Sequence, residues 1–393
     1  MQQWARFAIL GAMFVTAYLL ILAWQKDYGN AATAPQQQAA AVSSHEVSAD
    51  LPNAKNATVA SDVPQANIAQ SQTTDATAPV NQQLISVQTD LYHLWINPKG
   101  GDIVRIELLS HDKSKDSDQP FVMLENDAKR TYVAQSGLIG LNGPDSSRGG
   151  RPLYAVEKTS YTLADAKGVQ DQKGQSEKVL NVPMVFKTPE GVEIIKTFTF
   201  TQGQYPIVVK HQVINRSQQS WQGQMFGQLK RDNSEDPGKS SQGIFTLGTF
   251  LGGAWGTPDA HYNKLKFANF SEEKVNTEAK GGWVAIVQHY FVSAWIPGNL
   301  KLTQANGQPY VAKLESRQSA DHMNIIGFTS PVINVPAGTS MEVDAKLYSG
   351  PKVQSELKDL AVGLNQTVDY GWLWPIAKLL FLGLQFFHSI VGN

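Results

Sequence analysis

Histidine is the side chain here most able to move a proton near neutral pH or to hold a metal. There are eight: His45, His93, His111, His211, His261, His289, His322 and His388. A metal site built on one element needs ligands on one face, as in His-x-His or His-Glu-x-x-His, and neither pattern occurs. His211 shares strand parity with Ile207, Val209 and Val213, which predicts a core histidine with its ring hydrogen-bonded. His289 sits in an apolar run and reads the same way. No Gly-x-Ser-x-Gly, Walker loop or Gly-x-Gly-x-x-Gly is present. Gly248, Gly252, Gly253 and Gly256 lack the lysine and helix of a phosphate cradle and predict a loop or a bulged strand. The absence of cysteine excludes thiol catalysis, disulfides and Cys-ligated zinc, and fits a compartment outside the cytosol. No catalytic, cofactor-binding or metal-binding residue is assigned, and the chain is not expected to be an enzyme.

The elements that would position any site are strands. From Gln83 to about Ser349, short runs of period two alternate with turns. Val104, Ile106 and Leu108 alternate with Arg105 and Glu107; Ile195, Thr197, Thr199 and Thr201 alternate with Ile194, Lys196, Phe198 and Phe200. Turn signals fall at residues 97–101, 189–191, 215–217 and 336–338. The run from Gly281 to Pro297 is apolar on both parities and predicts one strand buried on both faces. The fold class is therefore mainly β, one large sandwich over residues 83–350. After Gly350-Pro351 the period changes: Val353, Leu357, Leu360 and Leu364 share a helix face, so a packing helix is expected over 351–366. Sandwiches of this size include sugar-active enzymes, so an anchored sugar-active or carbohydrate-binding β-sandwich is the alternative reading.

Both ends of the chain are apolar. Residues 1–28 read as a transmembrane anchor: Phe7 to Trp24 carry no charge, Trp4 and Trp24 mark the two interfaces, and Arg6 puts Met1 in the cytoplasm. As a helix this run rises about 27 Å, close to the hydrocarbon thickness. A cleaved signal peptide is the competing reading, but Lys26 and Asp27 occupy its short neutral region. Residues 29–82 are polar, without apolar periodicity, and read as a disordered tether. Residues 367–393 hold a nearly continuous apolar run from Tyr370. Lys378 and Gln385 fall on one helical stripe with His388 nearby, while Trp372 and Trp374 suit headgroup depth. An interfacial amphipathic helix is preferred there over a spanning or a buried one. A net charge of −1 argues against nucleic acid, and the two apolar ends make the lipid bilayer the expected partner.

Several longer blocks carry a family resemblance. They are Gln135-Ser136-Gly137-Leu138 with Gly143-Pro144-Asp145, Arg151-Pro152-Leu153-Tyr154, Phe226-Gly227-Gln228-Leu229-Lys230, the run from Gly281 to Pro297, residues 367–374 and residues 387–393. Together these resemble the YidC/Oxa/Alb family of membrane protein insertases, in the Gram-negative form with a large periplasmic domain. The resemblance implies a transmembrane helix and then a periplasmic β-supersandwich similar to galactose mutarotase. Amphipathic helices follow, leading into a five-helix membrane core with a hydrophilic groove and its arginine. It implies nascent membrane proteins, the Sec translocon and accessory Sec components as partners, in the bacterial inner membrane. The sequence departs from the family pattern by ending at Asn393, where that core would begin, so a piece of a longer protein is expected.

Overall fold

Strict alternation of buried and half-exposed residues runs through the strongest strands, and it determines which side of each sheet closes on the other. The structure, a computed structural model, describes residues 83–368 apart from 115–116, 147–149, 171–173, 175, 238–249 and 299–310. The chain begins as a meander of β1 (Ile85–Gln88), β2 (Tyr92–Asn97), β3 (Asp102–Ser114), β4 (Ser117–Asn126) and β5 (Thr131–Ile139), followed by β6 (Ser160–Thr162). Next come β7 (Lys167–Gln170), β8 (Ser176–Lys187), β9 (Val192–Thr201) and β10 (Ile207–Asn215). Then follow β11 (Trp221–Arg231), β12 (Gly252–Gly256), β13 (Asn263–Lys266), β14 (Asn276–Ala279), β15 (Trp283–Val287) and β16 (Phe291–Pro297). The last strands are β17 (Ala312–Gln318), β18 (Asn324–Thr329), β19 (Ile333–Val335) and β20 (Ser340–Pro351), before helix α1 (Gln354–Leu360).

Among the described residues these strands form two sheets. One runs β14-β17-β18-β11-β5-β4-β3-β2-β1-β6, with β19 also on β11; the other runs β13-β12-β15-β16-β20-β10-β9-β8-β7. Pairing is antiparallel except between β1 and β6. The protein is thus a mainly β sandwich, as the alternation predicts. Its core lies between the sheets and includes Trp283 and Trp295, both fully buried. Each indole N–H has a partner: Trp295 Nε1 donates to Gln228 O at 3.1 Å, and Trp283 Nε1 to Val362 O at 2.9 Å. A buried indole thus contributes its apolar area without leaving a polar atom unpaired.

Four expectations need correction. The run from Gly281 to Pro297 is two strands, not one, because polar Gln288 and His289 with Tyr290 turn the chain into the β15–β16 hairpin. Both strands are buried throughout, but His289 lies exposed in the turn and is no core residue. Val104 is only half-buried, because a register shift at Trp95/Ile96 brings Ile103 inward instead. The packing helix is shorter than 351–366: Pro351 still belongs to β20, α1 covers only Gln354–Leu360, and a 3-10 turn covers Leu364–Thr367. Of its four marker residues, Leu357 and Leu364 are fully buried, while Val353 is exposed. The four predicted turn segments do lie between consecutive strands, and Gly252, Gly253 and Gly256 fall in β12.

Candidate functional site

The buried parity of β9 includes one charged residue, Lys196, which faces into the sandwich beside Ile194 and Phe198 and pairs across the sheet with His211. Its Nζ donates to the carbonyls of Gly100 (3.0 Å), Gly101 (2.9 Å) and Ser136 (2.8 Å), which uses all three ammonium protons. Arg151 joins the same place. Its Nη2 donates to Gly100 O at 3.0 Å and Ser136 O at 2.8 Å, its Nη1 to Asp102 at 3.1 Å, and its Nε to Asp145. Asp145 is itself held by the Leu138 amide at 2.8 Å. From Asp102 the bonds continue outward through Gln135 (2.9 Å) and Gln228 (2.8 Å) to Arg317 (2.8 Å). Glycine makes the room. A Cβ on Gly137 would lie 2.2 Å from Asp145 Oδ2, and one on Gly100 (φ +80°) 2.7 Å from the Arg151 guanidinium.

Two cations thus face two carboxylates with nearly every donor used, the condition under which buried charge is tolerated. Burial lowers the Lys196 ammonium to about 7, against the opposing pull of Asp102. Burial raises Asp145, and Arg151 limits that rise. Burial works against the Arg151 charge, but Asp102 and Asp145 outweigh it and raise its pKa. His211 is fully buried and held neutral, mainly by burial and then by repulsion from Lys196 and Arg151. Neither of its ring nitrogens has a partner, so the expected hydrogen-bonded core histidine is correct in place and wrong in bonding. The cluster ties β9 to β3, β5 and the segment carrying Asp145 and Arg151. It is a structural lock: Lys196 and Asp145 are buried, and only the edges of Arg151 and Asp102 reach the surface.

A surface that can take a ligand lies elsewhere. The outer half of the β3–β4 hairpin stands apart from the β15–β16 turn and the start of α1, leaving a cleft of about 670 Å³. Its aromatic floor is Phe121 stacked on Phe291 (centroids 4.2 Å apart), with the His111 ring edge-on to Phe291 at 5.4 Å. Burial lowers the His111 pKa, more than Asp112 restores it, so the ring is neutral and packs as an aromatic. Pro237, Pro351 and Val353 add apolar wall, Tyr290 stands 70% exposed at the mouth, and Asp112, Lys113 and Lys352 line the remainder. An apolar floor with a few charged groups around it suits an aromatic or aliphatic side chain of an extended chain.

Trp4, Arg6, Phe7 and Trp24, and Trp372, Trp374, Lys378, Gln385 and His388, all lie outside the described residues. Among the described residues, no helix is long and apolar enough to cross a membrane, and no group of His and carboxylates could hold a metal. Sequence reasoning missed Lys196, Asp102, Asp145 and Arg151 as a unit. One signal was there: a lysine on the parity of Ile194, Phe198 and Phe200. A second was that Gln135, Asp145, Arg151 and Gln228 all lie in the blocks that carry the family resemblance.

Residues 84–382 match the family described as the YidC periplasmic domain. The chain is 41% identical over 389 residues to a membrane protein insertase YidC of Pseudomonas putida (strain GB-1), covering 99% of this chain and 65% of that protein. It is 39% identical over 414 residues to that of Pseudomonas aeruginosa, covering 99% and 67%. The chain spans 65% of the length of the Pseudomonas putida relative. Among solved structures it is similar to a galactose mutarotase related enzyme from Lactobacillus acidophilus, with TM-score 0.41, 10% identity, and coverage of 68% of this chain and 97% of that one. A galactose mutarotase-like protein from Lactobacillus casei gives TM-score 0.39, 10% identity, and coverage of 68% and 99%.

Proposed function

The chain belongs to the YidC periplasmic domain family, and on that premise we propose that it is the periplasmic part of an insertase. In this reading it assists the insertion, folding and assembly of integral inner-membrane proteins, alone or with the Sec translocon and its accessory components. The observation that carries the reading is the 41% identity over 99% of the chain to proteins named membrane protein insertase YidC. The domain's contribution is binding rather than catalysis. Its cleft offers an aromatic floor for apolar side chains of a nascent membrane protein, the class of polypeptide richest in them. Residues 1–28 anchor the domain in the inner membrane with Met1 cytoplasmic, 29–82 tether it, and 367–393 lie along the outer surface of the bilayer. Arg6 before an uncharged run and the stripe of Lys378 and Gln385 support that topology.

A chimera tests this reading. The chain replaces the matching region of the Pseudomonas putida relative, in cells depleted of their own insertase. It should restore insertion of a single-span reporter to a rate near that of the intact relative, and deletion of residues 83–350 from the chimera should slow it. A chimera that accumulates in the membrane and inserts nothing would contradict the proposal.

A further inference from the structure

Arg231 closes β11 with its side chain wholly buried, stacked over Tyr132 at 4.9 Å and Phe267 at 5.6 Å. Arg130, two residues before Tyr132 on the same face, is 6% exposed and lies 5.6 Å from the same ring. The carboxylates whose charge reaches Arg130 are Asp236 and Glu125. Asp236 accepts from Arg231 Nη2 at 2.8 Å and shares the same oxygen with Gln288 Nε2 at 2.6 Å. Glu125 is engaged by Arg105 at 2.6 Å, and Asp232 is spent on the Thr131 amide at 2.7 Å and on Ser234. The Arg130 guanidinium donates to the carbonyls of Val122 and Met123, while Asp127 is engaged by the Arg130 backbone amide at 2.8 Å. Arg231 Nε and Nη1, Arg130 Nε and Gln288 Oε1 are buried without any hydrogen-bond partner. Burial, with the neighbouring Arg231 charge, lowers the Arg130 pKa.

Three unpaired nitrogens on two cations, against one bound carboxylate, leave an excess of donors and of positive charge. A buried guanidinium in that state is strongly unfavourable, and water supplies hydrogen bonds but no countercharge. An anion supplies both. The place also adjoins the cleft, because Asp236 precedes Pro237 and Gln288 opens the turn that presents Tyr290 and Phe291. We propose that Arg231 and Arg130 form a binding site for a small monovalent anion, of halide or carboxylate size, behind the Pro237–Phe291 wall of the cleft. Its occupancy secures the Asp236–Pro237 segment and the β15–β16 turn, and so fixes the shape of that wall.

The test uses the full chain in detergent with chloride exchanged for bulky gluconate at constant ionic strength. Melting in 100 mM chloride should be about 2–4 °C higher than in gluconate, saturably, and acetate should act as chloride does. Crystals grown in bromide should show an anomalous peak within hydrogen-bond distance of Arg231 Nε or Nη1. Asp236→Asn removes the competing carboxylate and should lower the half-saturating chloride concentration several-fold. Arg231→Met should abolish the response. If that variant fails to fold, Asp236→Asn and the bromide peak decide. Equal melting in both salts with water alone at Arg231, or a bromide peak elsewhere, would overturn the proposal.

Discussion

Arg151 and Arg231 are both arginines in the interior of one sandwich, and they are treated in opposite ways. Arg151 has two carboxylates and two carbonyls around it, and neighbouring Lys196 has three carbonyls. Arg231 has one carboxylate, one carbonyl and two unpaired nitrogens. The site whose cations have a partner at every nitrogen is a lock between elements far apart in sequence. The half-bonded site is a place where folding alone does not complete the chemistry. A buried charge therefore reveals its role through the bonds it lacks, more than through its burial.

The largest test of that contrast is a matched pair of substitutions. Arg151→Met strands Asp145 and Asp102 in the interior and should cost about 3–5 kcal/mol, the usual penalty for breaking a buried ion pair. Arg231→Met removes a cation that is only partly compensated, and leaves Asp236 near the surface, so about 1–2 kcal/mol is expected. Urea unfolding of the two variants measures both. Equal losses would erase the distinction between the sites.

Per pH unit, a smaller effect is expected. His211 is held neutral in the fold, well below its usual pKa, whereas the unfolded chain takes up a proton near 6.5. Below that point the unfolded state binds more protons, so stability falls as pH falls, by about 1.4 kcal/mol per unit at most. Lys196, lowered to about 7 in the fold, acts in the upper range. Between about 7 and 10.5 the unfolded chain keeps a proton that the fold releases, so stability rises with pH. His211→Leu should flatten the acid limb and Lys196→Met the alkaline limb. A wild-type midpoint that is constant from pH 5 to pH 9 would contradict both assignments.

The smallest effect lies at the surface. Tyr290 is 70% exposed, so Tyr290→Ser should change stability by less than about 0.5 kcal/mol. It should nevertheless weaken capture of a hydrophobic peptide by the cleft, read by fluorescence anisotropy. Unchanged binding would remove the mouth of the cleft from the contact surface.

The sequence made the strands legible because period two survives wherever one face is buried, as along β9 and β10. It blurred where both faces are buried. Apolar residues on both parities hid the turn at Gln288–Tyr290, and three adjacent polar or amphipathic side chains were too weak a signal to split the run. The helix after β20 was overextended because Leu364 continues the helical spacing while the backbone has already tightened into a 3-10 turn. The lock on Lys196 was hidden for a different reason. Asp102, Asp145, Arg151 and Lys196 meet only through sheet packing, and no local period encodes that meeting. The cleft has no sequence signature either, since its walls come from β3, β4, the β15–β16 turn and the approach to α1.

The most direct measurement places a photo-crosslinking amino acid at Tyr290 and, in a second variant, at Leu141, which is 61% exposed on another surface. Both are introduced in the full-length chimera while a ribosome-arrested inner-membrane protein is being made. If the domain holds nascent membrane segments through its cleft, adducts to the arrested chain should form at Tyr290 and be scarce at Leu141. Equal yields at the two positions, or none at Tyr290 while the chimera is folded and inserting, would contradict it.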